Sequence, residues 1–135
     1  MSKFKKYHIG IPEMDSQHEK LLSNIDKLRN SIIAKDTAVQ INDSISEMMH
    51  YVKVHFTAEE SLLKKAGYPG FDNHVLKHRQ FIKKVVEYHK RTSAGTTPSK
   101  YELISFLQEW ANNHILTDDK KYAEYIINMV EVKSG

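Results

Sequence analysis

Apolar residues recur three and four positions apart along almost the whole chain, and this period limits the possible folds more than any total does. Each residue advances an α-helix by about 100°, so such spacing gathers one apolar stripe per helix. Strand-type alternation is nearly absent. After a short irregular arm containing Gly10 and Pro12, the segment "DSQHEKLLSNIDKLRNSIIAKD" predicts a first helix. Ser16 and Glu19 have the spacing of a capping box, and Leu21, Leu22, Ile25, Leu28, Ile32 and Ile33 form the stripe. Ile41, Ile45, Met48, Met49, Val52, Phe56, Leu62 and Leu63 predict a second helix over 38–66, stopped by "GYPG". A third is expected over 71–91, ending before "TSAGTTPS". Thr97 and Pro98 then offer a cap and a first-turn proline to a fourth, which carries Leu103, Ile104, Phe106, Leu107 and Trp110 up to His114. A short last helix is expected over 120–129.

Four main helices joined by short loops pack most simply up-down-up-down. The expectation is therefore an all-α four-helix bundle with an N-terminal arm and a short C-terminal helix, forming one domain over 1–135. No apolar run approaches the roughly eighteen residues of a membrane span, and the basic start "MSKFKKYHIG" has no apolar segment behind it. With no cysteine, disulfides, thiolate metal sites and cysteine nucleophiles are excluded, and a cytoplasmic location is the simplest expectation. The net charge of +3 is modest, and the lysine clusters read as solvated helix faces rather than a nucleic-acid surface.

The chain's eight histidines are the compositional oddity. "HFTAE" puts His55 and Glu59 four apart on one face of the second helix, and "HVLKH" does the same for His74 and His78 on the third. His18 lies beside the stripe of the first helix, and His114 ends the fourth, one turn after Trp110. Every main helix thus brings a nitrogen or carboxylate donor to an apolar face. Burying so many polar groups without partners would cost several kcal/mol, a cost that a shared metal ion removes. "HILTDD" spaces His114 and Asp119 five apart, roughly 140° out of line on a straight helix. The pair can serve one site if the helix breaks after His114 and Thr117 or Asp118 caps the next one; Asp118, four after His114, is the competing donor.

The motifs "GIPEMDSQHEKL", "HFTAEE", "GYPGFDNHVLKH" and "WANNHILTDDKKY" together resemble the hemerythrin family, in its single-domain bacterial form, over nearly the whole chain. The resemblance implies that His18, His55, His74, His78 and His114 ligate two non-haem iron ions, with Glu59 and Asp119 as bridging carboxylates beside an oxo or hydroxo bridge. It favours Asp119 over Asp118 and Glu59 over Glu60. It also implies that His74, His78 and His114 complete one iron, while His18 and His55 leave the other an open position for O2. A ferritin-type site needs two Glu-x-x-His pairs, whereas only "EMMH" occurs here, with Glu47 and His50.

Five neutral imidazoles dominate instead and stabilise high-valent iron less, so oxygen capture is expected rather than oxygen activation; the resemblance implies that the capture is reversible O2 binding, and no enzyme activity, nucleic acid or membrane is expected. Leu21, Leu22, Phe56, Trp110 and Ile115 are the candidate lining of the O2 pocket, and Tyr122 matches a recurrent tyrosine of the family. The arm lacks the tryptophan common in bacterial members, and Phe4 is expected to pack in its place. His8, His50 and His89 match no ligand position. The competing functions are an oxygen or redox sensor module of a signalling protein, and a di-iron peroxidase or nitric-oxide-handling enzyme.

Overall fold

Pro12 opens the first helix rather than belonging to the arm, since a proline at the first helical position loses no ladder bond. In this computed structural model, which describes residues 4–93 and 99–134, the helices are α1 (Pro12–Ile33), α2 (Ala38–Lys65), α3 (Phe71–Ser93), α4 (Ser99–Asn113) and α5 (Lys120–Ser134). The expected Ser16–Glu19 capping box does not form, because both residues lie inside α1 and its N-cap is Ile11. A capping box does form at α2. The Thr37 hydroxyl accepts the Gln40 backbone N–H, and the Gln40 side chain accepts the Thr37 backbone N–H. Thr97 and Pro98, expected to start the fourth helix, lie outside the described residues.

Both described helix–helix turns use the same stop. After α2, Gly67 takes a left-handed φ of 65°, while its N–H reaches Lys64 O and that of Tyr68 reaches Leu63 O. After α1, Lys35 stands in the equivalent position with φ 58°, with matching bonds from Lys35 to Ile32 O and from Asp36 to Ser31 O. The first stop has the residue suited to that conformation; the second carries a Cβ there and is strained.

Each of α1 to α4 packs against its neighbours in sequence, and α4 returns to α1 to close the bundle. The stripes meet inside, with Leu28, Ile32, Ile45, Met48, Val85, Leu103 and Leu107 all buried. Ile33, at the end of α1, is 59% exposed, and Met49, Leu62, Phe106 and Trp110 are half-buried at the edge of the core. The arm is docked: Phe4, Tyr7 and Ile11 pack against the core, Ile9 is buried, and Tyr7 donates to Asn112 Oδ1 at 2.9 Å. Buried Asp15 anchors it by accepting the backbone N–H groups of Ile9 and Gly10 at 2.6 and 3.3 Å. Gly10, at φ 93°, leaves only 3.1 Å between a notional Cβ and Ile127 Cδ1 of α5, so the arm crosses that helix closely. No helix among the described residues is long and apolar enough to cross a membrane.

This alternation decides where the polar donors meet. His18 is near the start of α1, His55 and Glu59 near the end of α2, His74 and His78 near the start of α3, and His114 just beyond the end of α4. In an up-down-up-down bundle those four places lie at the same end. Apolar packing fills the other.

Candidate metal centre

The helix does not break after His114. Residues His114–Asp119 continue it as a π-helical turn, in which the Lys120 N–H reaches back five residues to Ile115 O. A wider turn with i→i+5 bonds brings residues five apart toward one side, and this reconciles His114 with Asp119 without reversing the chain. Neither Thr117 nor Asp118 is a cap, contrary to expectation. The Thr117 hydroxyl donates to Asn113 O, and Asp118 turns to His114 and Lys77. The short C-terminal helix is thus a continuation of α4 through the π turn.

All seven expected donors are buried, and they converge. Glu59 Oε1 lies 2.8 Å from His74 Nε2 and 3.0 Å from His78 Nε2, while Glu59 Oε2 lies 3.4 Å from both His18 Nε2 and His55 Nε2. Asp119 divides its oxygens in the same way. Oδ1 is 3.1 Å from His74 Nε2 and His114 Nε2, and Oδ2 is 3.1 Å from His18 Nε2. Two poles result: His74, His78 and His114 around one oxygen of each carboxylate, and His18 and His55 around the other.

Several of these donors approach one another without bonding well. Both ring nitrogens of His18, and Asp119 Oδ1, make no well-aligned hydrogen bond although they are fully buried. Buried polar atoms left in that condition are costly, and atoms aimed at a common point rather than at each other are what a cation site requires. Imidazole nitrogen with carboxylate oxygen suits iron, zinc or manganese. The residues therefore fit a pair of transition-metal ions.

Without a cation, the same atoms form a charge network. Burial opposes protonation of His18 and His74, but the close approach and negative charge of Asp119 and Glu59 outweigh it and raise both from 6.5 to about 9. His114 is raised too, again against burial, by Asp119 and Asp118. Burial pushes Glu59 up, but the imidazole nitrogens of His18, His55, His74 and His78 close around its oxygens prevail and hold it well below the usual carboxylate range. Asp119 is lowered by His114 and His18 against burial and the charge of Glu59.

The surroundings include residues that the sequence reading missed or left unplaced. Fully buried Tyr122 donates its hydroxyl to Glu59 Oε2 at 2.8 Å; burial and the Glu59 charge hold that phenol far above its ordinary value. On the outer side, His55 Nδ1 meets Gln17 Oε1 at 2.7 Å, His78 Nδ1 meets Glu60 Oε2 at 2.8 Å, and His114 Nδ1 meets Asp118 Oδ2 at 3.1 Å. Of the expected pocket lining, Leu21, Leu22, Phe56 and Ile115 are buried and Trp110 is half-buried. Phe56 stacks on His78 with ring centroids 3.7 Å apart, and Trp110 stacks on His114 at 4.2 Å, so these two rings lie against the three-histidine pole. His8 lies at the surface, 3.5 Å from Glu19, and His50 is exposed.

The family model described as the hemerythrin HHE cation binding domain matches residues 9–126. The chain belongs to the hemerythrin family. Its curated relatives include a bacteriohemerythrin of Stenotrophomonas maltophilia, 36% identical over 88% of this chain and 76% of that protein. A bacteriohemerythrin of Clostridium acetobutylicum is 32% identical over 88% of this chain and 95% of its own length. Among solved structures, one titled as the crystal structure of wild-type hemerythrin superposes with a TM-score of 0.76 at 26% identity, covering 84% of this chain and 87% of that one. The hemerythrin fold and the cation-binding character of its family agree with the buried donor cluster at one end of this bundle.

Proposed function

We propose that the seven donors hold two iron ions and that the domain binds O2 reversibly, for storage, delivery or buffering, as a binder rather than an enzyme. The observation that carries this reading is the division of the two carboxylates, each giving one oxygen to either pole. Three nitrogens and two oxygens make five donors at one pole, while two nitrogens and two oxygens make four at the other. One ion would thus be held by His74, His78 and His114 and the other by His18 and His55, with Glu59 and Asp119 serving both, so the His18–His55 pole would offer its ion fewer protein donors. Iron bound there would supply the electrons and the open position that O2 capture needs.

The remaining work falls to the chain. Glu59 and Asp119 fix the separation of the poles, and Tyr122 fixes the rotation of the Glu59 carboxylate through its oxygen on the His18–His55 side. Leu21 and Leu22, one turn beyond His18 on α1, and Ile115, next to His114, form the proposed apolar lining that excludes water and slows proton entry. In this reading Phe56 and Trp110 brace His78 and His114 against rotation.

The test is to load the purified protein with ferrous iron under anaerobic conditions, count the iron bound, then admit O2 and follow the visible spectrum. A charge-transfer band that appears at two irons per chain, fades when O2 is withdrawn and returns on readmission is the expected result. Failure to retain two irons refutes the site. Rapid irreversible conversion to a ferric form refutes reversible binding and favours a redox sensor or an oxidase-like enzyme.

A further inference from the structure

The outer faces of the histidines differ between the poles in a way that the inward donors do not require. At the three-histidine pole, two imidazoles are backed by carboxylates: His78 by Glu60 and His114 by Asp118. Asp118 is itself held by Lys77, whose Nζ lies 2.8 Å from its other oxygen. At the two-histidine pole the backing is neutral or missing. His55 Nδ1 meets the amide oxygen of Gln17, and buried His18 Nδ1 meets no protein acceptor. The Gln17 position is well defined, since Tyr51 donates its hydroxyl to the Gln17 backbone carbonyl at 3.2 Å.

These contacts have a direct chemical consequence. A hydrogen bond from Nδ1–H to an outside acceptor fixes the tautomer that leaves the Nε2 lone pair free to face inward. An anionic acceptor also draws the proton toward itself, enriching the ring and making Nε2 a stronger donor; a neutral amide does so far less.

We propose that Glu60, Asp118 and Gln17 are positioning residues that make the two poles unequal, so that a first cation enters the His74–His78–His114 pole and the His18–His55 pole is filled second and more weakly. This inference rests on the two-ion reading above. It gives Gln17 a specific role: a neutral partner behind His55 keeps that pole the weaker donor set, on the side where the coordination is incomplete. Glu60 and Asp118 are 30% and 27% exposed in their side chains, so their charge can be removed without opening the core.

Zinc is a suitable probe because it takes histidine and carboxylate ligands and has no redox chemistry. The metal-free protein would be titrated with zinc against a chromophoric chelator, while imidazole NMR signals report which histidines respond at each equivalent. Wild type is expected to bind two ions in separate steps, the first perturbing His74, His78 and His114 and the second His18 and His55. Glu60→Gln and Asp118→Asn, close in shape but neutral, are expected to weaken the first step by roughly 10- to 100-fold. Gln17→Glu is expected to strengthen the second step and narrow the gap. A merely structural role for these side chains would not strengthen binding on substitution at Gln17, so that variant separates the two explanations.

Two indistinguishable steps in wild type, a reversed order, or unchanged affinities in all three variants would overturn the inference while leaving the two-ion site standing. Failure of wild type to bind two ions of either zinc or iron would remove the two-ion reading, and this inference with it.

Discussion

Removing the metal is expected to reverse how stability responds to pH, and the charge network of the site sets the size of the effect. In the metal-free protein, His18 and His74 are raised from 6.5 to about 9 because, despite burial, each imidazolium leans on Asp119 and Glu59. A group raised on folding stabilises the folded state fully below its unfolded value of 6.5 and loses that contribution as pH climbs through about 9. The interval corresponds to ~3 kcal/mol for one such group. Because both imidazoliums share the same two carboxylates, their contributions do not add in full, and the pair contributes on the order of 3 kcal/mol.

On the acid side the sign is opposite. Glu59 and Asp119 are lowered, so their contribution is present above the ordinary carboxylate range and disappears as pH falls below it. Metal-free protein should therefore be most stable between the two windows, near pH 6, and at pH 9.5 its Tm should lie lower by roughly 10 °C. Metal loading inverts the alkaline limb, because ligation needs neutral imidazoles and improves as they lose protons. Circular dichroism melts of chelator-stripped and zinc-loaded protein from pH 5 to 9.5 give both curves. Proton release on zinc addition at pH 7.5, followed by pH-stat, gives an independent reading. A metal-free Tm that is flat or rises between pH 6.5 and 9, together with zinc uptake that releases no protons, would refute the assigned charge states.

Three further predictions concern single residues. Tyr122→Phe removes the hydroxyl that donates to Glu59 Oε2 at 2.8 Å and should cost about 1.5 to 3 kcal/mol, measured by urea unfolding of the metal-free protein at pH 6. Thr37→Ala removes the side-chain half of the α2 capping box and should cost about 1 kcal/mol, read in the same assay with no change in zinc stoichiometry. Lys35→Gly relieves a left-handed residue at φ 58° and should stabilise by about 0.5 to 1 kcal/mol, visible as a Tm higher by roughly 2 to 4 °C.

What could be read from the sequence follows from which interactions are local. His55 with Glu59 and His74 with His78 are one α-helical turn apart, so shared period alone puts each pair on one face. The π turn at "HILTDD" has no such signature. Thr117 and the two aspartates are weak helix formers that suit a cap as well as a widened turn, and the bond from the Thr117 hydroxyl to Asn113 O that accompanies the widening is exposed by no spacing rule. The five-residue interval shows that a straight helix cannot bring both His114 and Asp119 to one site, but a break and a widening satisfy it equally. The α1 start was misread for a different reason. Ser16 and Glu19 match a capping pattern, yet Pro12 at the first helical position and Thr37 with Gln40 at α2 were equally legible signals.

The outer partners of the histidines stood beyond any sequence argument, because Gln17 and His55, or Glu60 and His78, meet only after α1 packs on α2 and α2 on α3. Asp118 makes the same point from within one helix. At four residues from His114 it has the favourable helical spacing, and it does reach that histidine, but at Nδ1, on the outside of the ring. Asp119, at the unfavourable spacing, reaches Nε2 because the π turn carries it inward. Two adjacent carboxylates thus flank one imidazole, and a one-residue change in helical winding decides which of them faces the centre. Restoring an α-helical turn here would carry Asp119 away from His114 and out of line with His18 and His74. The π turn is therefore as much a part of the donor set as the histidines it joins.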